Sequence, residues 1–236
     1  MRSSLPGGRP VARSPGRIAA GTAASALAAL LVATTAARAQ LTVTLVGNAG
    51  VVVSDGEVSL LIDLPYESGA FGYQTYDHEA LAPVGDVVSV VTHHHRDHFA
   101  PELFLSRAAW RAIGPPSAMA GVPAARILTG DSIVVGSFSV VVVPTPHTDD
   151  HRSYRVRWHD RVLHFVGDTE DPTSLVATPP MDVLFVTPWL SCAAETAAGF
   201  RTAARRIAYH VDPGGRDPFC GGIEVLPQGA SFRVER

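Results

Sequence analysis

The sequence predicts an α+β domain in which two β-sheets pack on each other and helices cover their outer faces. Two observations carry that reading. Short apolar runs with the two-residue period of a strand outnumber stretches with a helical period, and the two kinds are interspersed along the chain. Glycine, proline, asparagine and aspartate fall between them, where turns are needed. With 46% hydrophobic and 17% charged residues in 236, the chain can bury the core of one domain.

Residues 1–39 stand apart. Arg2, Arg9, Arg13 and Arg17 form a positive region without an acid, an apolar stretch runs from Ile18 towards Ala36, and Ala37-Arg38-Ala39 precedes Gln40. This is the pattern of a secretory signal peptide cleaved after Ala39. The stretch is rich in Ala, Thr and Ser and only weakly apolar, which argues against a retained membrane anchor. The expectation is a periplasmic or secreted domain, residues 40–236, with no stable membrane insertion after cleavage. Removing the leader takes away five arginines, leaving 14 arginines against 22 carboxylates, net −8 with neutral histidines. A field of that sign argues against nucleic acid and leaves a small molecule as the expected partner. All 19 basic residues are arginine, so chemistry through a lysine is excluded. Cys192 and Cys220 can bond in an oxidising compartment, and two free thiols fit the sequence equally well.

In order, Leu41–Val46 and Gly50–Val53 read as a hairpin turning at Gly47 and Asn48, and Val58–Ile62 as a strand running into Asp63. Residues 64–86 hold Tyr66, Tyr73, Tyr76 and several glycines and prolines without a helical period, a long loop of the kind that often serves function. Val87–Val91 is a buried strand, and Pro101–Ala112 a helix with proline near its start. Ser132–Val135 and Phe138–Val143 are strands separated at Gly136, and Tyr154–Trp158 and Val162–Val166 form a hairpin around Asp160-Arg161. Asp182–Val186 reads as a strand, Glu195–Arg206 as a helix and Ile207–Tyr209 as a strand.

Chemistry gathers where these strands end. Val87–Val91 delivers the run Thr92-His93-His94-His95-Arg96-Asp97-His98. Packing does not crowd so many imidazoles and a carboxylate together, because each is costly to bury unpaired. Metal binding does, since His nitrogen and Asp oxygen are the ligands of zinc and similar ions. Read as H-x-H-x-D-H, the run offers His93, His95, Asp97 and His98. His94 with His98 resembles a metalloprotease pair only weakly, because H-E-x-x-H needs Glu where His95 stands. Downstream, Val141–Pro144 leads to His147, Val162–Val166 to Gly167-Asp168-Thr169, and Ile207–Tyr209 to His210. Sites in open sheets form at such carboxyl ends.

The order H-x-H-x-D-H, His, G-D-T and a late His resembles the metallo-β-lactamase superfamily, over about residues 41–235. The resemblance implies a four-layer αββα sandwich carrying a dinuclear site. Carried over, His93, His95 and His147 would bind one metal, Asp97, His98 and His210 the other, and Asp168 would bridge them. Asp63 matches the family's early aspartate, which orients the metal loop from behind. The bridging Asp168 resembles the lactonase-like and general hydrolase branches rather than the true β-lactamases. The implied activity is that of a metal-dependent hydrolase. Two divalent ions ~3.5–4 Å apart share a hydroxide that attacks a small ester, lactone, thioester or phosphodiester. Zn2+ is the default metal, with Mn2+ and Fe2+ as alternatives. Asp97 is a candidate for orienting the nucleophile. His151, four residues past His147, is a candidate proton donor to the leaving group, with substrate contact or simple solvation as alternatives. Two other readings are a periplasmic β-lactamase and a non-catalytic metal-binding member of the family. His94 is expected to point away from the site, and Trp189 and Phe185 to lie in the core.

Overall fold

The structure, a computed structural model, describes residues 40–176, 180–194, 203–214, 220 and 222–235. The expected leader lies outside them. Two six-stranded sheets are formed. The first holds β1 (Gln40–Gly47), β2 (Gly50–Ser54), β3 (Val58–Ile62), β4 (Asp86–Val90) and β5 (Arg111–Ile113), and gains β12 (Ser231–Glu235) beside β1. The second holds β6 (Ser132–Val135), β7 (Phe138–Pro144), β8 (Arg152–Trp158), β9 (Arg161–Phe165), β10 (Met181–Val186) and β11 (Ala203–Ala208). Each sheet begins as an antiparallel meander and ends in parallel strands, β3–β4–β5 in one and β9–β10–β11 in the other. The described helices are short: α1 (Pro101–Leu105), α2 (Thr173–Val176) and α3 (Pro188–Ala194).

Alternation along the strands builds the core between the sheets. Leu41, Val43 and Val53 from the first face Val140, Val156 and Phe165 from the second, all fully enclosed. The opposite face of the first sheet is apolar as well. Leu61, Val87 and Val91 meet Phe99, Phe104 and Trp110 beneath α1. The 64–86 loop is anchored by Tyr66, buried with its ring centroid 4.4 Å from that of Tyr76.

Three elements differ from the sequence reading. The helix expected over Pro101–Ala112 stops at Leu105, and Arg111–Ile113 joins the sheet parallel to β4. The Arg126 guanidinium explains the stop. It donates to the carbonyls of Phe104 (3.1 Å), Arg107 (2.8 Å) and Trp110 (2.8 Å), taking acceptors that a longer helix would use itself. Of the helix expected over Glu195–Arg206, residues 195–202 lie outside the described residues, while Ala203–Arg206 are strand. Alanine and arginine favour helix locally, but parallel pairing with β10 prevails. Ser231–Glu235, not read as a strand, pairs antiparallel with β1.

Candidate metal centre

The strand ends converge on one edge of the sandwich. From the first sheet come the β1–β2 turn with Asn48, Asp63 after β3 and the histidine run after β4. From the second come Thr145 and His147 after β7, Asp168 after β9 and His210 after β11. Asp63, His210 and Asn48 take positive φ (46°, 55° and 49°), so the chain turns sharply where each side chain must enter the site.

Asp63 is fully buried and holds the run from behind. It accepts the Thr92 backbone N–H at 2.7 Å and the Thr92 hydroxyl at 2.9–3.0 Å. It also accepts the His98 Nδ1–H at 3.0 Å. That bond turns His98 Nε2 to the centre, where it is buried and faces the Asp168 carboxylate. Thr92 Oγ1 lies 3.0 Å from His93 Nδ1, which orients the second ring in the same way.

Three groups of ligand atoms result, each within 4.8 Å of one another: His93, His95 and His147; Asp97, His98 and His210; and His93, His98 and Asp168. In the first, His93 Nε2 and His95 Nδ1 face each other at 2.9 Å. In the second, His210 Nε2 sits 3.0 Å from Asp97 Oδ2. Asp168 reaches towards both: Oδ1 is 3.2 Å from His98 Nε2, and Oδ2 is 3.4 Å from His210 Nε2 and 3.8 Å from His147 Nε2. The seven residues expected from the strand-end pattern are thus brought together. The side chain of His147 is a quarter exposed, and the other six are more enclosed.

The electrostatics of this cluster suit cations. Burial drives His93 far below the usual histidine value, and burial with His147 nearby lowers His95, so both rings are neutral and offer lone pairs. Around His98 burial works the other way from the charges, and Asp168 and Asp63 together hold the ring well above its ordinary value. Burial opposes the Asp168 carboxylate, but His98 and His210 keep it ionised, well below the usual range. The negative potential calls for positive charge, met by a proton or by a metal. The neutral His93 and His95 rings, which bring acceptors and no added charge to the same spot, fit the metal better.

His94 is exposed and turned outwards. His151 is buried, with Nδ1 2.8 Å from Thr145 Oγ1 and Nε2 accepting the Asp168 backbone N–H at 3.0 Å. Burial pushes its pKa down to about 4. Phe185 lies in the core, its ring stacked on that of Phe165 at 4.5 Å. Three further residues stand at the site: Asn48, read from sequence only as a turn residue, Tyr73, read as a candidate to line the pocket mouth or to pack the long loop, and Trp189. Asn48 donates from Nδ2 to the Asp97 carbonyl at 2.9 Å, and its own carbonyl accepts the His210 N–H at 2.9 Å. Tyr73 sets its ring edge-on to His210, with centroids 4.2 Å apart. Trp189, expected in the core, is half-buried, also sets its ring edge-on to His210 with centroids 5.0 Å apart, and donates to the Asp168 carbonyl at 3.3 Å. It follows the end of β10, so the strand-end pattern that gave the candidate ligands points to it too.

No family model and no curated protein sequence matches the chain. Solved structures do. The metallo-β-lactamase fold protein YhfI from Bacillus subtilis superposes over 83% of this chain and 99% of its own, with TM-score 0.61 and 15% identity. The chain has the metallo-β-lactamase fold. Igni18, a metallo hydrolase from Ignicoccus hospitalis, covers 84% of this chain and 99% of its own at TM-score 0.61 and 12% identity. An isothiocyanate hydrolase from Delia radicum gut bacteria covers 82% and 99% at TM-score 0.59 and 15% identity. The metallo-β-lactamase fold accounts for the layout described above: two facing sheets, with the histidine and aspartate cluster at one edge.

Proposed function

We propose that the chain is a dinuclear metal-dependent hydrolase acting on a small ester, lactone, thioester or phosphodiester. One observation carries this: two separate ligand groups, His93–His95–His147 and Asp97–His98–His210, with the Asp168 carboxylate reaching towards both. When bound, two divalent ions, Zn2+ by ligand type with Mn2+ and Fe2+ as alternatives, would supply an activated water and positive charge for the developing oxyanion. The chain's own residues set the stage. Asp63 and Thr92 fix the rings of His98 and His93, so that their lone pairs converge. Asp97, held by Asn48, keeps a carboxylate oxygen at the centre where it orients the attacking water. Tyr73 and Trp189 wall in His210 and shape the approach of substrate. The reading includes export and cleavage after Ala39, and the bonded Cys192–Cys220 pair fits an oxidising compartment.

Elemental analysis of purified residues 40–236 tests it. About two metals per chain are expected, together with turnover of an ester, lactone, thioester or phosphodiester that chelation abolishes. A metal-replete protein holding no tightly bound ion would overturn the proposal, and turnover of nitrocefin in place of the other substrates would move the reading to a β-lactamase.

A further inference from the structure

Behind Asp168 lies a chain of hydrogen bonds whose every direction is determined. Its first donor is the Asp168 backbone N–H, which can only donate, to His151 Nε2 at 3.0 Å. Its last acceptor is the Val166 carbonyl, which can only accept, from Ser153 Oγ at 2.6 Å. Ser153 has one hydroxyl proton and spends it there, so it accepts from Thr145 Oγ1 at 3.0 Å. Thr145 has then spent its own, and it accepts the Nδ1–H of His151 at 2.8 Å. The run starts and ends on the turn after β9 and passes through the end of β7 and the start of β8, and every member is buried. Between Val166 and Asp168, Gly167 has φ +64°, and a Cβ there would overlap the His151 ring. From the other side, the Tyr209 hydroxyl accepts the Gly167 N–H at 2.5 Å.

We propose that His151 is a positioning residue, a neutral imidazole locked as the Nδ1–H tautomer that holds the backbone of Asp168 and hence the shared carboxylate. It gives no proton to a leaving group and no electron pair to a metal, because both ring nitrogens are committed to the circuit. The proton-donor role considered for it from its place four residues past His147 is therefore not one that His151 fills. This inference rests on Asp168 as the ligand shared by two metals, as proposed above.

The test uses the full chain, labelled with 15N in its histidines and loaded with zinc. The His151 resonances, assigned by their loss in His151→Gln, should carry the signature of a neutral Nδ1–H ring. An Nε2–H ring or an imidazolium overturns the proposal. His151→Gln keeps an acceptor for the Asp168 N–H and a donor for Thr145, and it should recover two zinc ions per chain and most of kcat. His151→Leu, of similar size but without either bond, should bind zinc about 10- to 100-fold more weakly and lose kcat with little change in KM. Full zinc affinity and kcat in His151→Leu overturn the proposal. So does a His151→Gln protein that binds zinc fully yet is as slow as His151→Leu, since the ring's proton would then be used in the chemistry. If His151→Leu does not fold, Thr145→Val breaks the circuit one bond further out and should weaken zinc binding in the same direction; unchanged binding there counts against the proposal. A wild-type chain that holds no zinc overturns the hydrolase reading instead, and the tautomer signature still decides the state of His151.

Discussion

Asp63 touches no substrate, yet two rings depend on it. Replacing it with Asn leaves one carbonyl oxygen for three donors, the Thr92 N–H, the Thr92 hydroxyl and the His98 Nδ1–H, and removes the charge that favours them. We expect Asp63→Asn to weaken metal binding about 10- to 100-fold and to cost about 1–3 kcal/mol of stability, read by metal titration and thermal melts. Unchanged affinity would mean that the metal loop orients itself. His164 provides a second residue-scale case. It is buried on β9 with both ring nitrogens unpartnered and Arg155 in register beside it. Burial, with Arg155 adding to it, lowers its pKa from 6.5 to about 3. The unfolded chain therefore binds the extra proton between those values, so stability is intact above pH about 6.5 and falls as pH drops towards 3, by about 1.4 kcal/mol per pH unit from this group. His164→Leu should flatten that acid limb in melts taken from pH 7 to 4, and an unaltered limb would assign it elsewhere. At this scale the candidate ligands were legible because they stand at or just past the point where an apolar run stops. Asn48 was not, since its contribution runs through a turn carbonyl and a side-chain amide that any turn asparagine could equally direct to solvent.

At the scale of elements, α3 joins several functions in one short piece. It carries Trp189 against His210, and it carries Cys192, bonded to Cys220 in the segment that follows His210. The bond spans 28 residues, so Cys192→Ser should cost about 3.5 kcal/mol through the unfolded chain alone. Because the tie holds the helix that sets Trp189 against His210, the same variant should, on the dinuclear reading proposed above, weaken binding at Asp97–His98–His210 more than at His93–His95–His147, seen as metal content falling from two towards one. Equal loss of both metals, or of neither, would limit the bond to stability. Strands buried on both sides were legible from their apolar runs. The edges were not: β11 reads Ala-Ala-Arg-Arg-Ile-Ala, a good local helix, and β12 reads Ser-Phe-Arg-Val-Glu, a polar tail until β1 is beside it. Local propensity is a weak guide wherever the partner strand lies far off in sequence.

For the molecule as a whole, metal and fold are linked, since the ligands meet only when both sheets are in place. A metal that binds the folded chain alone adds about 2.7 kcal/mol at a hundredfold excess over its Kd. Adding chelator should therefore lower Tm, and returning zinc should restore it; a Tm blind to both would leave the cluster without a bound ion. The pairing of β12 with β1 has a different consequence. Gln40 stands opposite Glu235 in an antiparallel ladder, so these two residues are already hairpin neighbours. A two-residue Asn-Gly turn would join them without moving either strand, and the fold becomes a closed ring in which the position of the break is arbitrary. Cut instead at the exposed Gly121, the permuted chain should assemble the same edge cluster and take up the same metals. The order in which the strands follow one another along the peptide would then matter to how the protein is made and not to what it is.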